Sequence, residues 1–274
     1  MPVRAKPTSF TSSVALTHIS TATAVLSIDN VNFLIDPAFD PAGSEYDVEI
    51  AVLKRFEGPA IGMDQLPPID AVLLSHEDHH DNLDASGRTL LNGRHIITTK
   101  DGAKNLAPRP GVKGLAPWET VELSLGGKTF RITATYCQHL PGGECIGFVL
   151  HTDSFGHGED GRPNVVYVSG DTVYVADVAQ RLRRDYNVVL AVLNLGAAVA
   201  PLPTGPLLIT LDGAQALQLT EEIDAVVMVP LHFESWGHFT QGKKELEAVF
   251  GSESAKGFKD KVMWLEPGKP TQVL

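Results

Sequence analysis

The chain of 274 residues carries 22 Lys and Arg against 33 Asp and Glu, a net charge of −11, with 43% apolar and 20% charged residues. That balance suits a globular protein with a sizeable core and argues against a nucleic acid or an anionic membrane as partner, since both need a basic footprint. Its 2 cysteines, Cys137 and Cys145, make no disulfide framework, and no stretch approaches the roughly 18 apolar residues of a membrane span, so a cytoplasmic protein with reduced thiols is expected.

Residues 1–13 are polar and proline-bearing and read as a flexible arm. No repeat or low-complexity linker divides the remainder, so 14–274 reads as a single domain. Short β-type runs at 24–28 and 31–35 are joined by Asp29-Asn30 in a hairpin turn, and Asp36-Pro37 closes the second. The segment 38–68 is rich in Pro, Gly and acidic residues. It predicts a lid or pocket wall, because loops beyond about 12–15 residues are usually functional.

Ala71-Val72-Leu73-Leu74 follows a Pro67-Pro68 breaker and reads as a buried strand. It delivers Ser75-His76-Glu77-Asp78-His79-His80-Asp81-Asn82-Leu83-Asp84, with 3 histidines and 4 carboxylates in 10 residues. Neutral imidazole and ionised carboxylate are what divalent cations take, and short histidine-rich tracts favour a metal over a solvated turn. Asp84 is a suitable N-cap for a helix at 85–91.

A strand at 95–98 and a helix at 101–107, stopped by Pro108, come next. Strands at 121–125 and 129–135 flank Gly126-Gly127, and the second leads to Cys137-Gln138-His139. Strands at 147–150 and 165–168 follow, the latter ending in Ser169-Gly170-Asp171-Thr172. A helix at 173–184 has a basic last turn, which suits a helix C-terminus. Then come a strand at 188–193, a Gly/Ala/Pro loop at 194–206 and a helix at 212–221. A strand at 225–229 leads to Pro230-Leu231-His232, and a helix at 240–250 has Thr240 as its N-cap. A last strand is expected at 262–265. Strands that meet first in pairs and later alternate with helices imply an α/β fold, two sheets with helices on their outer faces.

His76, His139, Asp171 and His232 each lie one to three residues beyond an apolar strand. Strand exits on one edge of packed sheets converge, and four such exits are hard to explain by chance.

With that pattern the chain resembles the metallo-β-lactamase-fold hydrolases, in particular the branch that includes ascorbate-6-phosphate lactonase. The resemblance runs through Leu34-Ile35-Asp36-Pro37, the histidine cluster, His139, Ser169-Gly170-Asp171 and His232. It implies a four-layer αββα sandwich of two mixed β-sheets. The family signature His-x-His-x-Asp-His is matched with one extra residue: His76 and His79 take the histidine positions and Asp81 the aspartate, while Asn82 stands where the last histidine would be.

The resemblance implies a first metal site of His76, His79 and His139 and a second of Asp81, Asp171 and His232, with Asp171 placed to bridge. One or two divalent ions are expected, zinc first. An amide at Asn82 weakens the second site or turns it toward an oxygen-preferring ion such as manganese. His80 is a candidate substitute. A bound cation lowers the pKa of its water from about 15.7 toward 7 and polarises a carbonyl. Asp81 would orient the attacking water and shuttle its proton, and His238 would donate one to the substrate or make a structural bond. His18, Asn82 and Trp236 are candidates for the substrate pocket, with packing as the alternative for the tryptophan.

These readings converge on a metal-dependent hydrolase that opens a lactone or another cyclic ester or amide. The competing readings are a phosphodiesterase and a metal-binding or ligand-sensing protein whose catalysis has decayed. There is no Gly-x-Ser-x-Gly elbow and no nucleotide-binding glycine loop. The partner expected is a small-molecule substrate, with no nucleic acid and no membrane; a homo-oligomer stays open.

Overall fold

A computed structural model of the chain describes residues 6–48 and 51–274. The first half of the chain forms β1 Val14–Ser20, β2 Thr23–Ile28, β3 Val31–Ile35, β4 Glu45–Asp47, β5 Val52–Lys54, β6 Ala71–Leu73, α1 Ala85–Thr89, β7 His95–Thr99, α2 Lys100–Asn105 and β8 Val112–Leu115. There follow β9 Thr120–Leu125, β10 Lys128–Tyr136, β11 Ile146–Thr152, β12 Asn164–Val168, α3 Ala176–Asp185, β13 Asn187–Asn194, β14 Val199–Leu202 and β15 Gly205–Leu208. The chain finishes with α4 Gly213–Glu222, β16 Val227–Leu231, α5 Lys243–Phe250 and β17 Thr271–Gln272.

Two mixed sheets carry the fold. One has the order β17-β1-β2-β3-β6-β7-β8 and the other β16-β13-β12-β11-β10-β9. Apolar residues at alternate positions decide which face packs where. Phe33, Ile35, Leu73, Phe148, Val166 and Val168 fill the core between the sheets. Their neighbours Leu34 and Val72 turn outward with Leu83, Leu91 and Leu106, while Val165 and Tyr167 turn outward to meet Val178, Leu182, Leu219 and Leu246 of the helices. Helix, sheet, sheet and helix therefore stack in four layers, as the sequence predicts.

The topology brings the functional exits together. Strands β10 and β12 both run antiparallel to β11, so they are parallel to one another, and β12, β13 and β16 are parallel in turn. Their C-terminal ends, followed by His139, Asp171 and His232, lie on one edge. The exit of β6 is tied to that edge by the Ile146 amide donating to the Ser75 carbonyl at 3.1 Å. Gly170, at φ +61°, makes the approach possible: a Cβ there would stand 2.5 Å from the Ile146 oxygen and 3.2 Å from Cβ of Ser75.

Several local expectations change. The segment 38–68 contains a β-hairpin, β4–β5, and the loop 194–206 becomes most of a second, β14–β15, which runs on to Leu208. Thr240 does not cap α5; the N-cap is Gly242, because the Thr240 hydroxyl donates to the Ala197 carbonyl at 2.7 Å. The expected strand at 262–265 is reduced to one bridge, Met228 with Val262, and β17 completes the other sheet instead. Pro230 is tolerated in β16 because that strand is an edge. Of the expected arm, residues 1–5 lie outside the described residues; in the remainder Phe10 is buried and stacks on Phe155 at 4.5 Å.

Candidate metal centre

Two groups of ligand atoms face each other at the shared sheet edge. His76, His79 and His139 form one, and Asp81, Asp171 and His232 the other, each with its ligand atoms within 4.8 Å of one another. Nδ1 of His79 lies 3.0 Å from Nε2 of His76 and 3.1 Å from Nε2 of His139. The supporting bonds decide the protonation of these rings. The Ile209 carbonyl, 2.7 Å from Nδ1 of His139, can only accept, so Nε2 of that ring carries a lone pair. Ser75 Oγ gives its hydrogen to Asp36 at 2.8 Å and therefore accepts from Nδ1 of His76 at 2.8 Å, which again leaves Nε2 bare. Three nitrogens in mutual contact thus share at most one proton. Lone pairs crowded this way fit a cation and repel without one.

The second group points to the same chemistry. Nε2 of His232 lies 3.3 Å from a carboxylate oxygen of Asp81 and 3.3 Å from one of Asp171, yet this fully buried atom makes a hydrogen bond with neither. Its other nitrogen faces the Leu195 carbonyl at 3.3 Å. His232 also holds φ +61°, an uncommon backbone state that aims the ring into the cluster; its amide is fixed by the Thr21 carbonyl at 2.9 Å. The groups are linked through Asp171, whose Oδ2 is 4.0 Å from Nε2 of His76.

Electrostatics follow from this crowding. Burial, reinforced by His79, holds His76 well below the usual imidazole range, and burial also lowers His139. Burial opposes ionisation of Asp81, but the close approach and charges of His232 and His238 hold it well below the carboxylate range. Asp171 is lowered against burial by the charges of His232 and His139. Burial disfavours a charged His232, but Asp171 and Asp81 outweigh it and lift the ring to about 9. The two carboxylates call for positive charge, which a proton on His232 can supply. The donor set, three nitrogens beside a bridged Asp/Asp/His group, fits divalent metal.

The remaining sequence candidates separate. His238 approaches Asp81 at 3.2 Å through Nε2 and lines the cavity beside the cluster. His18, Asn82 and Trp236 do not line it, which corrects the pocket expectation. His18 is turned to the Thr21 carbonyl at 3.1 Å, the same oxygen that accepts from the His232 amide, and burial lowers its pKa to about 4. Asn82 donates to Asp36 at 3.2 Å, so it steadies the support of His76 and leaves the second group to Asp81, Asp171 and His232. Trp236 is buried beneath the β4–β5 hairpin, near Tyr46 and under the guanidinium of Arg55. His80 stacks on Tyr46 at 4.0 Å and faces the cavity, not the ligand groups. Asp84 caps α1, accepting from the Gly87 amide at 2.6 Å.

Four further residues support the ligand groups, and of these only Asp36, in Leu34-Ile35-Asp36-Pro37, belongs to a motif of the sequence. Asp36 receives the Ser75 amide at 2.7 Å and its hydroxyl, while burial lifts the carboxyl to about 7. The Leu195 and Ile209 carbonyls orient ligand rings, which any residue type there would do. Arg55, wholly buried, pairs with Asp84 at 3.5 Å and donates to Ser20 at 2.7 Å, fastening β5 to the helix behind the histidine cluster.

Two helix-flanked sheets with these ligand groups at one edge make up the metallo-β-lactamase fold. The chain belongs to the beta-lactamase superfamily, whose domain profile matches residues 31–233. It is 26% identical over 231 residues to the mitochondrial N-acyl-phosphatidylethanolamine-hydrolyzing phospholipase D of Saccharomyces cerevisiae, covering 75% of this chain and 45% of that one. A UPF0173 metal-dependent hydrolase of Solibacter usitatus is 30% identical over 131 residues, 48% of this chain and 46% of the relative. These matches span less than half the length of either curated relative. Among solved structures, isothiocyanate hydrolase from Delia radicum gut bacteria superposes with a TM-score of 0.75 at 24% identity, over 94% of this chain and 100% of that one. Among the described residues no helix is long and apolar enough to cross a membrane.

Proposed function

We propose that the protein opens a lactone or another small cyclic ester or amide, with zinc as the first candidate ion and manganese as the second. The observation that carries this reading is the pairing of a three-histidine group with a carboxylate-bridged group beside a walled cavity. Bound there, divalent cations would supply an acidified water and polarise the scissile carbonyl. His76, His79 and His139 would hold one ion, and Asp81, Asp171 and His232 the other.

The chain's own residues supply the proton path. Asp81, ionised and open to the cavity, is placed to orient a water and accept its proton. His238 sits 3.2 Å from Asp81, so a proton taken up there has a partner that can pass it to the departing oxygen or nitrogen. Residues of the β4–β5 and β14–β15 hairpins supply apolar walls to the cavity.

The test is hydrolysis of a panel of lactones, lactams and phosphodiesters with and without chelator, beside elemental analysis of metal content. About two ions per chain with chelator-sensitive ring opening is the expected result; activity indifferent to chelator would refute the reading. No bound metal would favour the ligand-sensing alternative. Phosphodiester cleavage is the second enzymatic reading, and the similarity to a phospholipase D supports it; preferential turnover of the phosphodiesters would establish it in place of ring opening.

A further inference from the structure

The cavity beside the metal groups has an uneven lining. Its floor is polar, formed by His79, Asp81, His139, Asp171, His232 and His238. Its walls are apolar: Val48, Ala51 and Leu53 come from the β4–β5 side, Val199, Ala200 and Pro201 from β14. Leu140 and Ile209 lie between them, and the space, part-open to solvent, is about 120 Å³.

Among the described residues no lysine or arginine lines it. The buried guanidinium of Arg55 is committed elsewhere: to Asp84 at 3.5 Å, to Ser20 at 2.7 Å and to the Glu57 carbonyl at 2.9 Å. Any cation in the site would sit on the floor, at the reacting bond. An anionic group carried away from that bond would lose its hydration between Leu53 and Val199 and meet no cationic chain there, the one imidazole outside the floor, His80, being stacked on Tyr46.

From this lining we infer the substrate class: a small carbonyl compound, uncharged away from its reacting bond, whose compact apolar arm lies between the two hairpins, with Leu53 and Val199 as its specificity-determining residues. The inference rests on the hydrolytic reading above and narrows it. A phosphorylated or carboxylated sugar ring is disfavoured, and an alkyl-substituted ring is preferred. In a hydrophobic pocket one methylene changes kcat/KM by about tenfold or somewhat more while space remains. The arm should therefore gain for its first few carbons and then stop as the small cavity fills.

The experiment measures kcat/KM with the metal-loaded, full-length protein on five- and six-membered lactones bearing no arm, alkyl arms of increasing length, or an arm ending in carboxylate or phosphate. The wild-type protein should gain about tenfold per early methylene and disfavour the charged arms by about a hundredfold or more. Leu53→Ser and Val199→Ser should each flatten the dependence on arm length. Leu53→Lys should raise the ratio of carboxylate-armed to alkyl-armed turnover by about tenfold or more. Both positions are part-exposed on hairpins, and a melting curve checks that each variant is folded. Ring opening with no preference between alkyl and charged arms, or a ratio unmoved in folded Leu53→Lys, overturns this inference and leaves the hydrolytic reading standing. Failure to open any ring overturns both.

Discussion

The proton that His232 can hold makes stability a probe of the charge around it. Burial alone would lower this imidazole, but Asp171 and Asp81 raise it from 6.5 to about 9. The sign is that of a raised base: the stabilisation is fully present below pH 6.5 and is lost as pH rises through 9. The difference of about 2.5 in pKa, at about 1.4 kcal/mol each, amounts to roughly 3 kcal/mol. Urea denaturation of chelator-treated protein between pH 6.5 and 9.5 should show a loss of that order. His232→Gln should remove most of the slope and start from a lower stability. Saturation with zinc should also flatten it, because the ion takes the nitrogen that the proton would otherwise hold. A cation-free wild-type protein whose stability is level from pH 6.5 to 9 would refute the assignment of His232 to an anionic pocket.

Other expectations concern the frame and the proton path. Arg55→Met leaves the fully buried Asp84 with amide donors alone and should cost about 3–5 kcal/mol in urea denaturation, with Arg55→Met/Asp84→Asn costing less than the two single changes together. Gly170→Ala drives a Cβ to 2.5 Å from the Ile146 oxygen at φ +61°; a loss of about 2 kcal/mol or more, near 5 °C in Tm, is expected by calorimetry. His238→Gln should lower kcat by about a hundredfold or more while metal content stays that of wild type, since His238 belongs to neither ligand group.

What could be read in advance was set by periodicity and by position along strands. Ala71-Val72-Leu73-Leu74 had to be a buried strand, and a polar cluster on its exit had to reach the edge. The same reasoning finds His139, Asp171 and His232, because parallel neighbours share an edge whatever their separation in the chain. The two pocket hairpins escape it: their first strands, Glu45–Asp47 and Val199–Leu202, are only 3 and 4 residues long. His18 and Trp236 suggest a pocket by residue type, but their direction depends on Thr21, Tyr46 and Arg55, contacts made only once the chain has folded. Asn82 shows the same limit. Its place beside Asp81 suggests a ligand position, and its bond to Asp36, 46 residues away, makes it part of the support under His76.

The β14–β15 hairpin has the carbonyls that orient His232 and His139, those of Leu195 and Ile209, at its two roots. Recognition and metal affinity are thereby mechanically joined. Exchanging this ribbon for one from a relative, in search of a new substrate, would move the ring tautomers together with the wall. A graft that respects the backbone path at 195 and 209 can redraw selectivity without disturbing the ions; one that shifts either root would be felt first as lost metal.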